Sequence, residues 1–332
     1  MTFRAAIVGC AGPSLLPEER DMFSRLRPFG LILFRRNCVT PDQIRALADD
    51  FRGLVGNDAA PVLIDQEGGR VARLSPPLWP LFPPAGHFGD MFRNSPGAAA
   101  RAAFSHGRLL GQTLQSLGIS VNCAPVCDLR LDGAHHVIGD RALSSDPHHI
   151  AMLAEAMAKG MMAEGVLPVM KHIPGHGRAL ADSHEDLPVV RSSLEVLEQT
   201  DFVPFRALAK TVPLGMTAHI IYEALDPVRP ATVSGMVIGN TIRRDLGFHG
   251  LLMTDDMSMK ALDRALPGTS MGQKAQMALE AGIDVILHCN GRADETASLL
   301  KAFPPLSAQA MHRWAMARAK LQRPLAVRET PM

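Results

Sequence analysis

Short apolar runs, many of them β-branched, recur along the chain with longer segments of helical periodicity between them. This is the pattern of parallel strands joined by crossover helices. Eight runs read as strands: Arg4 to Gly9, Gly30 to Phe34, Pro61 to Asp65, Ser120 to Pro125, Leu167 to His172, Leu214 to His219, Leu251 to Asp255 and Asp284 to His288. The intervening pattern predicts helices over Thr40 to Leu54, Ala98 to Leu117, Pro147 to Glu164, Ser193 to Lys210, Ser234 to Leu246 and Gly272 to Ala281. Thr40 suits a helix cap, and Pro41 the first helical position. Eight strand-then-helix units point to α/β architecture, a single-domain (β/α)8 TIM-type barrel over residues 1–322, with 323–332 as a frayed C-terminal tail. A doubly wound sheet is the alternative. The stretch from Gly68 to about Pro96, rich in Pro and aromatic residues, reads as an irregular rim loop and not as a domain linker.

A hydrophobic fraction of 47% over 332 residues is ample for such a core. Lys plus Arg number 34 against 33 Asp plus Glu, so no bulk field attracts nucleic acid or an anionic membrane surface. No window approaches the roughly 18 to 20 apolar residues that cross a bilayer, and the N-terminus carries no secretory pattern. The five cysteines are odd in number and scattered, which predicts buried free thiols, a reducing compartment and a cytoplasmic location. Cys123 and Cys127 have no second pair with which to form a zinc site. Neither a P-loop nor a dinucleotide fingerprint is present, so no cofactor is expected.

A barrel builds its active site at the C-terminal ends of its strands. Asp65, Asp128, Lys171, His172, His219, Asp255, Asp256 and His288 all follow such ends. In Asp65-Gln66-Glu67-Gly68-Gly69-Arg70-Val71-Ala72-Arg73, a carboxylate suited to sugar hydroxyls is followed by paired glycines that permit close backbone approach to a ligand, and by arginines. A salt-bridged turn is the competing reading. In Lys171-His172-Ile173-Pro174-Gly175-His176-Gly177, Lys171 and His172 are donors, and His176 reads as a residue that holds the Gly-rich loop together. Asp182, two residues before His184, can orient its imidazole as a general acid and base. A structural loop histidine and a metal site are the other readings of this segment, although no second histidine lies one helical turn away. In Thr254-Asp255-Asp256-Met257-Ser258-Met259, strand alternation sends one carboxylate to the barrel mouth without saying which. A carboxylate there can attack an anomeric carbon, while a helix cap suits Asp256 better than Asp255.

These motifs, together with Gly30-Leu31-Ile32-Leu33-Phe34-Arg35-Arg36-Asn37, resemble the β-N-acetylhexosaminidases of glycoside hydrolase family 3, in their short single-domain form used in bacterial peptidoglycan recycling. The resemblance spans nearly the whole chain. It implies a retaining exo-β-N-acetylglucosaminidase that removes terminal N-acetylglucosamine from peptidoglycan fragments such as the disaccharide with 1,6-anhydro-N-acetylmuramic acid. It implies Asp255 as nucleophile, His184 as acid/base and Asp182 as its partner, with Asp65, Arg73, Arg141, Lys171 and His172 binding the sugar. No metal is implied, and the partner is a small carbohydrate acted on by a monomer. Ile173, Met257 and Lys260 stand where the family commonly has Phe, Leu and Glu; none of these removes a reacting group. Imidazolium must first protonate the leaving oxygen and neutral imidazole must then deprotonate water, so one histidine serves both steps only if it exchanges protons readily near the working pH. The hinge-like Gly175-His176-Gly177 predicts that the loop carrying His184 moves. Alternatives are a β-N-acetylglucosaminide phosphorylase on the same residues, a metal-dependent barrel hydrolase and a non-catalytic carbohydrate-binding protein.

Overall fold

The eight apolar runs pair side by side, all parallel, into a closed barrel: β1 (Arg4–Val8), β2 (Pro28–Leu33), β3 (Val62–Ile64), β4 (Val121–Asn122), β5 (Leu167–Ile173), β6 (Leu214–Thr217), β7 (Leu251–Asp256) and β8 (Val285–His288). Each strand neighbours the next in sequence and β8 returns to β1, which excludes the doubly wound sheet. The structure is a computed structural model that describes residues 2–131, 133 and 135–321. The tail expected over 323–332 lies outside the described residues.

Both faces of every strand are covered, which is why the strands read as nearly continuous apolar runs. Leu31, Ile32, Leu33, Val62, Leu63, Ile64, Val169 and Met170 are all fully buried. Each such side chain contributes about 1.5–3 kcal/mol relative to exposure. β4 is shorter than expected: Cys123 still donates to the Ile64 carbonyl, but the Ala124 amide turns back to the Asn122 carbonyl at 2.8 Å and leaves the regular ladder.

Helices alternate with the strands and carry local start signals. Pro41–Val55 is capped by Thr40, whose side chain accepts from the Gln43 amide at 3.2 Å. Pro147–Ala163 is capped by Asp146, which accepts from the amides of His148 and His149. Two expectations are corrected. The helix predicted over Ser193 to Lys210 is two helices, Leu194–Gln199 and Phe202–Leu208, because Thr200 leaves the helical conformation (φ −130°, ψ −79°). The rim segment is not wholly irregular: it holds a hairpin, Gln66–Gly68 with Val71–Ala72, and a helix, Gly86–Asn94, that buries Phe88 and Phe92 one turn apart. At the hairpin turn, Gly68 and Gly69 have φ of 101° and 56°. A Cβ on Gly68 would lie 2.2 Å from the Pro83 carbonyl oxygen. The paired glycines therefore let the turn pack against the Pro-rich rim.

Two irregularities shape the mouth of the barrel. Between Met170 and Ile173, β5 carries one more residue than β6 opposite it, and between Met253 and Asp256, β7 carries one more than β8. Such bulges re-aim side chains near a strand end. They fall at Lys171-His172 and at Thr254-Asp255.

Candidate active site

Past the end of β3, Asp65 faces the barrel axis while Gln66 turns the chain into the hairpin. The Gln66 side chain accepts from the Arg73 and Leu74 amides and donates to the Leu74 carbonyl. The hairpin brings Arg73 back over Asp65, at 2.9 Å. It also buries Glu67 beneath the mouth, 5% exposed. Lys171, at the β5 bulge, lies between the two carboxylates, with Nζ 3.0 Å from Asp65 Oδ1 and 2.7 Å from Glu67 Oε1. Arg141 closes the set by donating Nε and Nη2 to Glu67, both at 2.8 Å. The fork-to-fork geometry fixes the guanidinium plane.

Burial alone would raise the Asp65 carboxyl, but Lys171 and Arg73 outweigh it and hold the group well below the ordinary carboxylate range. Burial likewise acts against Glu67, and Lys171 with Arg141 bring it down to about 2. Burial pulls Lys171 the other way, and its two carboxylates raise it above the usual lysine range. This corner of the cleft is therefore fully ionised at neutral pH, and its donors are held in place before any ligand arrives.

The same bulge lets the consecutive side chains of Lys171 and His172 both face the cleft, where plain alternation would turn one away. His172 Nδ1 lies 2.7 Å from Asp128 Oδ2, and its Nε2 lies 4.0 Å from Asp255 Oδ2. Asp128 is fully buried, and its Oδ1 accepts from the main-chain amides of His172 and His176. Asp255 lines the cleft and accepts from the Asp256 amide at 2.8 Å. Burial would raise its carboxyl; His172 and His219 outweigh that and lower it. Asp256 turns aside, accepting from Ser258 and from the Cys289 amide, and so ties the following turn to β8. It is not a helix cap, since the next helix starts at Lys260 behind Met259.

The third element is the loop after β5. His184 Nδ1 lies 2.8 Å from Asp182 Oδ1, which also accepts the His184 amide at 2.9 Å. The imidazole is 64% exposed. Between them Ser183 is buried, its hydroxyl 3.1 Å from His176 Nε2 and its carbonyl accepting from the Ala261 amide. Burial, reinforced by His172, pushes the His176 imidazole down to about 4, so this ring is neutral. Asp65, Glu67, Arg73, Arg141, Lys171, His172, His176, Asp182, His184 and Asp255 all line one cleft of about 360 Å³, with Val71, Val137 and Ile138 as its apolar wall.

Two residues that follow strand ends lie elsewhere. His219 bonds to Thr232 Oγ1 at 2.7 Å and faces the Asp256 carbonyl, supporting β7 from beneath. His288 points towards Glu295, 3.6 Å away, and away from the cleft. Glu67 stands inside the first motif and Asp128 among the strand-end residues, yet the sequence assigns neither of them a partner or a specific role. Their partners, Arg141 and His172, lie 74 and 44 residues away in sequence, so no local spacing shows the pairing.

A barrel with carboxylates, a lysine, an arginine pair and an Asp-His couple at its C-terminal mouth is a sugar-cleaving design. The family model "Glycosyl hydrolase family 3 N terminal domain" matches residues 16–321, and the chain belongs to that family. A Beta-hexosaminidase of Alkalilimnicola ehrlichii is 40% identical over 287 residues, 86% of this chain and 80% of that protein. One of Thiobacillus denitrificans is 36% identical over 315 residues, 93% and 85% of the two chains. The crystal structure of NagZ from Neisseria gonorrhoeae in complex with N-trifluoroacetyl-D-glucosamine superposes with a TM-score of 0.86 at 32% identity, covering 96% of this chain and 90% of that one. Within the family the protein is a glycoside hydrolase of the β-N-acetylhexosaminidase kind. No helix of the described residues is long and apolar enough to cross a membrane.

Proposed function

We propose that this β-N-acetylhexosaminidase is a retaining exo-enzyme that removes terminal β-linked N-acetylglucosamine from peptidoglycan fragments, in the cytoplasm. One observation carries the mechanism: an ionised Asp255 and an Asp182–His184 couple line the same small cleft. Asp65 and Arg73 bind ring hydroxyls, with Lys171 and His172 beside them, while Arg141 reaches the edge of the sugar nearest the apolar wall. Asp255 attacks the anomeric carbon as the bond to the leaving oxygen breaks, and His184 gives that oxygen its proton. Neutral His184 then takes a proton from water, whose oxygen attacks the anomeric carbon and releases Asp255. The anomeric carbon inverts twice, giving net retention. Asp182 accepts from Nδ1 and keeps Nε2 as the working nitrogen. The five cysteines are free thiols, in keeping with a reducing compartment, and the NagZ likeness supports the peptidoglycan substrate.

Aryl β-N-acetylglucosaminide should be cleaved and aryl β-glucoside spared, with the β-anomer the first product seen by proton NMR. The α-anomer as first product would overturn retention. Asp255→Ala should abolish turnover, and a mechanism-based fluoro-sugar should attach to Asp255. Attachment elsewhere would sink the assignment. In phosphate buffer the product should be free sugar; a sugar phosphate would make the enzyme a phosphorylase.

A further inference from the structure

Asp128 touches no part of the cleft, yet three hydrogen bonds converge on it. Oδ1 takes both main-chain amides, from His172 at 3.2 Å and from His176 at 2.6 Å, and Oδ2 takes the His172 ring at 2.7 Å. A fully buried carboxylate with this many partners is a site of fixed polarity: ionised, it only accepts. The proton shared with His172 therefore sits on Nδ1, whatever the state of Nε2. Nε2 is the atom that faces Asp255 Oδ2 across 4.0 Å, a gap that a sugar hydroxyl oxygen can enter and bridge.

We propose that Asp128 is a positioning residue of the reaction, one that keeps a proton on His172 Nδ1 and so holds the ring with Nε2 turned to the sugar and to Asp255. This rests on the reading of Asp255 as nucleophile. The amide variant is a sharp probe because of how the two oxygens are used. In Asp128→Asn, Oδ1 keeps both main-chain bonds, while an NH2 group replaces Oδ2 opposite the ring. That NH2 can only donate, so Nδ1 must become an acceptor and the ring proton moves to Nε2. The nitrogen facing the sugar then points a hydrogen at Asp255 and competes with the anomeric carbon for the carboxylate. At metal sites, groups that fix a histidine tautomer are worth about 10–100-fold in affinity or activity, which sets the scale expected here, and loss of the correct tautomer costs more where the ring itself moves protons.

The test uses the full chain labelled with 15N-histidine, the His172 signals being assigned by their loss in His172→Gln. Wild type should show a protonated Nδ1 at His172. Asp128→Asn should show the proton on Nε2, with kcat for an aryl β-N-acetylglucosaminide down about 10–100-fold and KM changed much less. A wild-type His172 with its proton on Nε2 alone overturns the proposal, and that measurement stands even if the variant does not fold. A folded Asp128→Asn with the wild-type tautomer, or with kcat within twofold of wild type, overturns it too. Fluoro-sugar attachment away from Asp255 would instead remove the functional reading while leaving the tautomer result intact.

Discussion

Glu67→Gln removes the charge at the hub of the cationic corner while keeping its shape. Glu67 is buried and bonded to Lys171 once and to Arg141 twice. The amide retains one acceptor oxygen and sets an NH2 against a donor, so at least one cation loses its partner. Depression of this carboxyl from 4.5 to about 2, at about 1.4 kcal/mol for each tenfold change in proton affinity, corresponds to roughly 3 kcal/mol of folding stability. The sign follows from linkage. Because the folded value lies below the unfolded one, the stabilisation is fully present above about pH 4.5 and is lost as pH falls towards 2. With an unfolding entropy of about 2.1 cal/mol/K per residue, 3 kcal/mol in a chain of 332 residues is a drop in Tm of roughly 4–5 °C near pH 7. Urea and thermal unfolding of wild type and variant at pH 7, 5 and 3.5 read it directly. The gap should be similar at the first two and narrower at the third. KM for an aryl β-N-acetylglucosaminide should rise, because Lys171 and Arg141 are no longer held. Equal stability at pH 7, or a gap that widens as pH falls, would refute the charge argument.

His184→Ala should slow substrates with poor leaving groups by 10²-fold or more, within the usual range for acid catalysis, and activated aryl glycosides far less. Equal losses on both would exclude His184 as the acid. Arg70 donates from Nη2 to the carbonyls of His136, Val137 and Ile138 and from Nε to Asp140, so it binds the hairpin to the segment bearing Arg141. Arg70→Ala should raise KM several-fold while Tm falls by no more than a few degrees, checked by initial rates and calorimetry; an unchanged KM would show that this segment holds its place without it.

The barrel was legible because period and length agree: eight apolar runs of strand length separated by helical segments leave few topologies. The cleft residues at strand ends were legible for the same reason, since a barrel confines its site to one rim. Alternation also forecast that one of Asp255 and Asp256 turns away, and it is Asp256. Other features had no local signature. Glu67 and Asp128 matter through partners that the fold brings together from far along the chain. The glycines after Glu67 make room for Pro83 and Pro84, a contact no neighbouring residue announces. His288 shares the strand-end position of the cleft residues but not their direction, which depends on the helix bearing Glu295.

The extra residue in β5 also bears on how the gene can vary. A change of identity between Met170 and Ile173 alters one side chain and its partners, as at Lys171 with Asp65 and Glu67, and keeps the number of residues in the strand. A change in its length is another matter. Deleting a single codon there would restore the regular ladder against β6 and turn Lys171 or His172 towards the outer helices, while leaving every other residue of the site in the sequence. Length at this point is as much a part of the active site as the side chains, and an alignment or a designed library that moves a gap by one position across it describes a different enzyme.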